Sequence, residues 1–166
     1  ASQTAKGDRN AVDGKVFLAP DDRFVLDGGD DRCLDTLWWR SGRYVQCVVE
    51  TGDDPLTLDA IRWRETRYPL EMEADFSCSD SGLNDAIPIM YRTVQMCAHE
   101  TYMDCPYYEQ LMYVGDTRLE VLVTYCLTSD VRLPRKAIEM FDVSRLPNHL
   151  TQSRYPCRHT QVIPPF

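Results

Sequence analysis

The chain has 166 residues, room for one domain or two small ones, and an apolar share of 43% that excludes global disorder. A formal net charge of −8 excludes a nucleic-acid partner, which needs a basic surface, and is neutral toward sugars. No apolar run reaches the roughly 18 residues of a membrane span.

Ala1–Asp8 has neither an initiator Met nor the apolar core of a signal peptide. The other end stops on Val162-Ile163-Pro164-Pro165-Phe166. Both ends read as internal to a longer protein, so the chain is expected to be a piece of one, and its compartment and oligomeric state are left open. Seven scattered cysteines, an odd number without framework spacing, read as mostly buried thiols with at most one disulfide.

Short runs at Val16-Phe17-Leu18 and Phe24-Val25-Leu26 fit strands. Residues 43–51 alternate, with Val45, Cys47 and Val49 on one face. Gly52-Asp53-Asp54-Pro55 supplies a turn, and residues 56–64 resume an extended pattern with a bulge expected near Ala60. Residues 71–76 alternate strictly, Met72, Ala74 and Phe76 against Glu71, Glu73 and Asp75. This half is expected to be the end of an antiparallel sandwich with one wet face. Trp38-Trp39 reads first as buried sandwich aromatics and second as a sugar platform.

The period changes near Ser79. Leu83, Ile87, Met90, Val94 and Cys97 form a helical stripe; Pro88 within it predicts a kink or a late start. That helix is expected to end at Asp104, because Pro106 disfavours helical geometry at Cys105. A second helix is expected from Asp116 or Thr117, with Thr117 and Glu120 as a capping box and Leu119, Leu122 and Cys126 inward. Asp130 is expected to cap a third, with Leu133, Ala137, Met140 and Phe141 inward and Pro134 tolerated early. From Pro147 onward the pattern is loop with short extended pieces. Strands followed by helices give an α+β class in two domains, residues 1–78 and 79–166.

The segment Asp104-Cys105-Pro106-Tyr107-Tyr108-Glu109-Gln110-Leu111-Met112-Tyr113-Val114-Gly115-Asp116 sets three carboxylates among aromatics. On spacing alone these are a helix-end acid, a solvated loop acid and a cap. The chemical alternative is a sugar site: tyrosines stack on a pyranose, and a Glu desolvated beside them gains the raised pKa of a general acid. Cys97, His99, Cys105, His149, Cys157 and His159 lack the spacing of a compact zinc site, so no metal or cofactor is expected. His99-Glu100 reads as a hydrogen-bonded helix end before it reads as pocket lining.

The same string resembles the acidic signature of the bacterial α-L-rhamnosidases, glycoside hydrolase family 78. Asp104-Cys105-Pro106 matches its opening, Glu109 its general acid and Gly115-Asp116 its close. Tyr91-Arg92-Thr93-Val94-Gln95 and Leu150-Thr151-Gln152-Ser153-Arg154-Tyr155-Pro156 extend the similarity over residues 79–166. Tyr113 stands where the family commonly has Trp, and Tyr108 replaces an Arg often found before the acid.

The resemblance implies a β-sandwich portion followed by the first helices of an incomplete six-hairpin (α/α) barrel. It implies inverting hydrolysis of terminal α-L-rhamnosides with Glu109 as acid, and Asp104, Asp116 and Tyr113 as substrate-binding residues. It places Arg154 near the active site, where the residue reads equally as a substrate-binding group or as half of a structural ion pair. The partner it implies is a rhamnose-containing glycoside or polysaccharide. The family's general base lies later than any position here, so this chain alone is expected to be inactive. The alternatives are a non-catalytic carbohydrate-binding protein or a structural domain of the same fold.

Overall fold

A computed structural model describes residues 8, 10–16 and 18–163. The expected run through Phe17, and the readings made on the extreme termini, lie wholly or partly outside the described residues. Two compact units divide the chain, one formed by Ala1–Trp39 with Arg43–Leu56 and the other by Arg40–Gly42 with Thr57–Phe166.

The α+β class is corrected. Among the described residues there are three α-helices and no strand or sheet: α1 (Ser81–Cys97), α2 (Val114–Leu127) and α3 (Arg132–Val143). Outside them the described residues form two isolated antiparallel bridges, Ala98 with Tyr102 and Tyr113 with Arg154. A strand exists only as one side of a hydrogen-bonded ladder, and alternation specifies a shared face without supplying the partner. Segments 43–51 and 56–64 form no ladder, and every residue in them is exposed, so neither has an inward face. Trp38 and Trp39 stack at 5.9 Å between centroids; Trp38 is exposed and Trp39 half-buried, so neither is a sandwich core residue.

Segment 71–76 shows what alternation can do when a partner is near. Met72 and Ala74 are half-buried while Glu71, Glu73 and Asp75 face water. The partner is a helix end: the Glu73 and Ala74 N–H groups both donate to the Leu127 carbonyl, at 2.9 and 3.1 Å. This satisfies an orphan carbonyl of the α2 C-terminus. The Glu73 carboxylate accepts from the Ser129 N–H and hydroxyl at 2.8 and 2.7 Å.

Helix α1 starts ahead of Pro88, not after it, because the Asp80 carboxylate accepts the Gly82 N–H at 2.9 Å. It ends at Cys97, seven residues before Asp104. Ala98 turns extended, its carbonyl accepts the Tyr68 N–H at 2.8 Å, and its bridge to Tyr102 reverses the chain. That reversal buries Tyr102 and Met103, an apolar gain that continued helix would forgo. The core gathers Ala98, Tyr102, Met112, Leu133 and Ala137, with Tyr68, Val121, Met140 and Phe141 packed on it.

Helix α3 presents the inward face read from its sequence, with Leu133 and Ala137 at 2% and 1% exposure. The Asp130 carboxylate accepts the Arg132 N–H at 3.0 Å, although Val131 is the formal cap. Tyr68 donates to Asp130 at 2.8 Å and the Arg132 guanidinium lies over its ring.

Helix α2 has the expected period in a different phase. Leu119 and Leu122 are exposed, whereas Thr117 and Thr124 are buried and Val121 meets the core. The helix starts at Val114, so Thr117 lies inside its first turn and is not a cap. For Thr124 the reason is polar pairing. Tyr102 and Thr124 hydroxyls bond at 2.7 Å inside the core, and Thr124 donates to the Glu120 carbonyl at 2.8 Å.

Candidate functional site

The acidic segment is a loop pinned at its neck. Asp104 N–H donates to the Leu111 carbonyl and Leu111 N–H returns a bond to Asp104 Oδ1, both at 2.9 Å. Inside the neck, residues 106–109 make a turn that the Gln110 amide closes onto the Pro106 carbonyl at 3.0 Å. Gln110 has φ 54°, the left-handed region that a non-glycine residue enters only when its surroundings hold it there. Tyr107 and Tyr108 meet edge to face at 4.7 Å, and Tyr108 is exposed.

Glu109 leaves this turn into solvent and is not desolvated by the rings beside it. Its Oε2 accepts the Tyr113 hydroxyl proton. That hydroxyl accepts in turn from Arg154 Nη1 at 2.9 Å, and the Arg154 guanidinium lies 5.7 Å from the Tyr113 ring centroid. Backbone pairing brings the two side chains together across forty intervening residues. Val114 N–H donates to Ser153 O at 2.9 Å and Tyr155 N–H to Met112 O at 3.0 Å, flanking the Tyr113–Arg154 bridge. The Glu109 carboxylate and burial push the Tyr113 phenol above its ordinary range, and Arg154 pulls against them.

Asp116 occupies the first turn of α2, where a negative charge complements the helix dipole. One turn on stands Glu120, which sequence reading had assigned to a cap. Its carboxyl is pushed up to about 8, foremost by burial and then by the Asp116 and Asp104 carboxylates, with a Met103 N–H pulling the other way. Its Oε2 is buried without a protein partner. The desolvated acid of this region is therefore Glu120. The sequence signal for it is the i, i+4 spacing of two acids, Asp116 and Glu120, on one helix face.

The structure thus joins Glu109, Tyr113 and Arg154 directly, and links Asp104 and Asp116 electrostatically through Glu120. Surface depressions of about 490 and 420 Å³ are lined by Tyr125, Val131, Arg135, Ile138 and Glu139, and by residues 65–67 and 69–71. Neither includes a residue of the acidic segment. Among the described residues no cluster of three or more His, Cys, Asp or Glu side chains could hold a metal ion. His99 is buried with its Nε2 at 3.2 Å from the Met96 carbonyl, and Glu100 pairs with Lys136 at 3.2 Å. No helix is long and apolar enough to cross a membrane among the described residues.

The model of the bacterial alpha-L-rhamnosidase 6 hairpin glycosidase domain matches residues 71–162, more than half of the chain. The chain belongs to that family. It is accordingly a glycoside hydrolase domain of the six-hairpin type. No curated relative and no solved structure matches it. The match begins where segment 71–76 docks on α2 and takes in all three helices, the acidic loop and the Arg154 segment. Asp104, Glu109, Tyr113, Asp116, Glu120 and Arg154 all lie within it.

Proposed function

We propose that this domain contributes the acid half of an inverting α-L-rhamnosidase site. Glu109 protonates the glycosidic oxygen as the bond to the anomeric carbon breaks. Asp104 and Asp116 flank it to accept sugar hydroxyls, Asp104 through the oxygen not used on Leu111. Tyr113 and Arg154 border the same space. The substrate class is a rhamnose-containing glycoside or polysaccharide. Inversion needs a base roughly 6.5–9.5 Å from the acid, with a water between base and sugar. That base is assigned to a later Glu of the family's barrel, to which none of these residues corresponds.

One observation carries this reading. Glu109 is an exposed carboxyl held by a buttressed tyrosine on a loop with a pinned neck, within the segment that matches the family. A general acid needs that combination of fixed direction and open access to substrate.

The test is turnover of an aryl α-L-rhamnoside by the complete gene product and by the 166-residue chain, with the product anomer read by proton NMR. The expected outcome is release of β-rhamnose by the complete product and none by the chain alone. Retention of the α anomer, or turnover by the isolated chain, contradicts the assignment.

A further inference from the structure

The hydrogen bonds through Tyr113 have a direction fixed by their two ends. A guanidinium has donors only, and a carboxyl oxygen that bears no proton has acceptors only, whether or not the other oxygen of the group is protonated. Arg154 Nη1 donates to the Tyr113 oxygen at 2.9 Å, which takes up acceptor capacity there. The single hydroxyl proton then points to Glu109 Oε2. Three independent contacts hold the Tyr113–Arg154 pair in register: this bond, the guanidinium over the ring at 5.7 Å, and the backbone bridge. A pair needed only to line a sugar pocket would not require its hydroxyl proton to be aimed at the acid.

We propose that Tyr113 and Arg154 are positioning residues for Glu109, reserving Oε2 as an acceptor and leaving Oε1 as the oxygen that carries and delivers the proton. The inference rests on the reading of Glu109 as the acid. In the step it describes, the proton passes from Oε1 to the glycosidic oxygen while the bond from that oxygen to the anomeric carbon breaks. The bonding electron pair leaves with the oxygen. Water attacks the anomeric carbon from the opposite face and gives its proton to the base.

Glu109 is left as a carboxylate, and the Tyr113 hydroxyl, polarised by Arg154, is already aimed at the charge that develops. Such a bond strengthens between ground state and transition state, so its loss falls on kcat. Direct contact with sugar in both states would instead load on KM.

Two experiments test this. The first uses the present chain with ¹³C-labelled tyrosine and follows the ionisation of the Tyr113 ring by NMR. E109Q is expected to lower the Tyr113 midpoint by about half a pH unit, roughly threefold in the ionisation constant, because a neutral amide no longer opposes the phenolate. R154M is expected to raise it by a similar factor, and R154K to restore most of the difference. Unchanged midpoints in both E109Q and R154M, with native amide spectra, overturn the proposal. R154K keeps the comparison available if R154M fails to fold.

The second measures kcat and KM for an aryl rhamnoside in the complete gene product. Y113F and R154M are expected to lower kcat about tenfold or more with KM held within about twofold. An effect confined to KM overturns the positioning role and leaves Glu109 as the acid. Absence of turnover in the unsubstituted product removes the reading of Glu109 itself, and the positioning claim falls with it.

Discussion

Replacing Glu120 by Gln isolates the most perturbed carboxyl beside the acidic loop. Between an ordinary value of 4.5 and about 8, the unfolded chain has released this proton while the folded chain keeps it. The folded state therefore binds more protons across that window, and stability falls as pH rises from about 4.5 to about 8. At about 1.4 kcal/mol per pH unit the whole interval amounts to at most about 5 kcal/mol. Water reaching the part of the side chain that stays accessible reduces this to about 2–3 kcal/mol. That is a large share of the 5–15 kcal/mol typical of a folded domain.

Urea unfolding followed by helical circular dichroism at pH 5, 6, 7 and 8 reads it directly. The unsubstituted chain should lose about 2–3 kcal/mol across the series beyond any loss in E120Q, whose amide does not titrate. Parallel profiles for the two proteins would refute the assignment of a buried, proton-holding Glu120.

Removing the Tyr102 hydroxyl with Y102F should cost about 1–2 kcal/mol in denaturant titration, because Thr124 loses its buried partner but keeps its bond to the Glu120 carbonyl. Met112→Ala, at a position 1% exposed in the core, should cost about 2–5 kcal/mol in the same titration. Glu73 is held below its usual range chiefly by the Ser129 hydroxyl and N–H. Its stabilising contribution is complete above the ordinary Glu value and lost as pH falls through its folded one. E73Q should therefore flatten the acid limb of a pH-unfolding curve, and an unchanged limb would count against the clamp.

Legibility in the sequence tracked how strongly each pattern excluded alternatives. Helix α3 was readable in phase because Arg132, Arg135, Lys136 and Glu139 oppose Leu133, Ala137 and Met140 with strong contrast. Helix α2 carries leucines and threonines on competing faces. Thr124 is inward because Tyr102, 22 residues before it, supplies a hydroxyl that no periodicity records. The apolar alternation in 43–51 and 56–64 did not become strands, because a ladder needs a second segment in register and a single run does not encode one. The end of α1 was misplaced because the turn at Ala98 is driven by burial of Tyr102, not by the proline at 106.

The acidic segment was legible as a set of residue types whose kinship the family match supports. The pairing of Tyr113 with Arg154 was not, since contact across forty residues follows from backbone bridging that neither segment announces alone. Glu120 was hidden by a capping-box spacing that fits equally well one turn inside a helix.

The central claim is that Glu109 donates the proton to the departing oxygen. The most direct measurement compares E109Q with the unsubstituted complete gene product on two rhamnosides. One carries an ordinary aryl leaving group, and the other a dinitrophenyl group acidic enough to leave unprotonated. The account predicts that kcat/KM on the ordinary substrate falls by about 10²–10⁴, the range of general acid catalysis, while the dinitrophenyl substrate is hydrolysed within about tenfold of the unsubstituted rate. Equal losses on both substrates, or none on either, would contradict it.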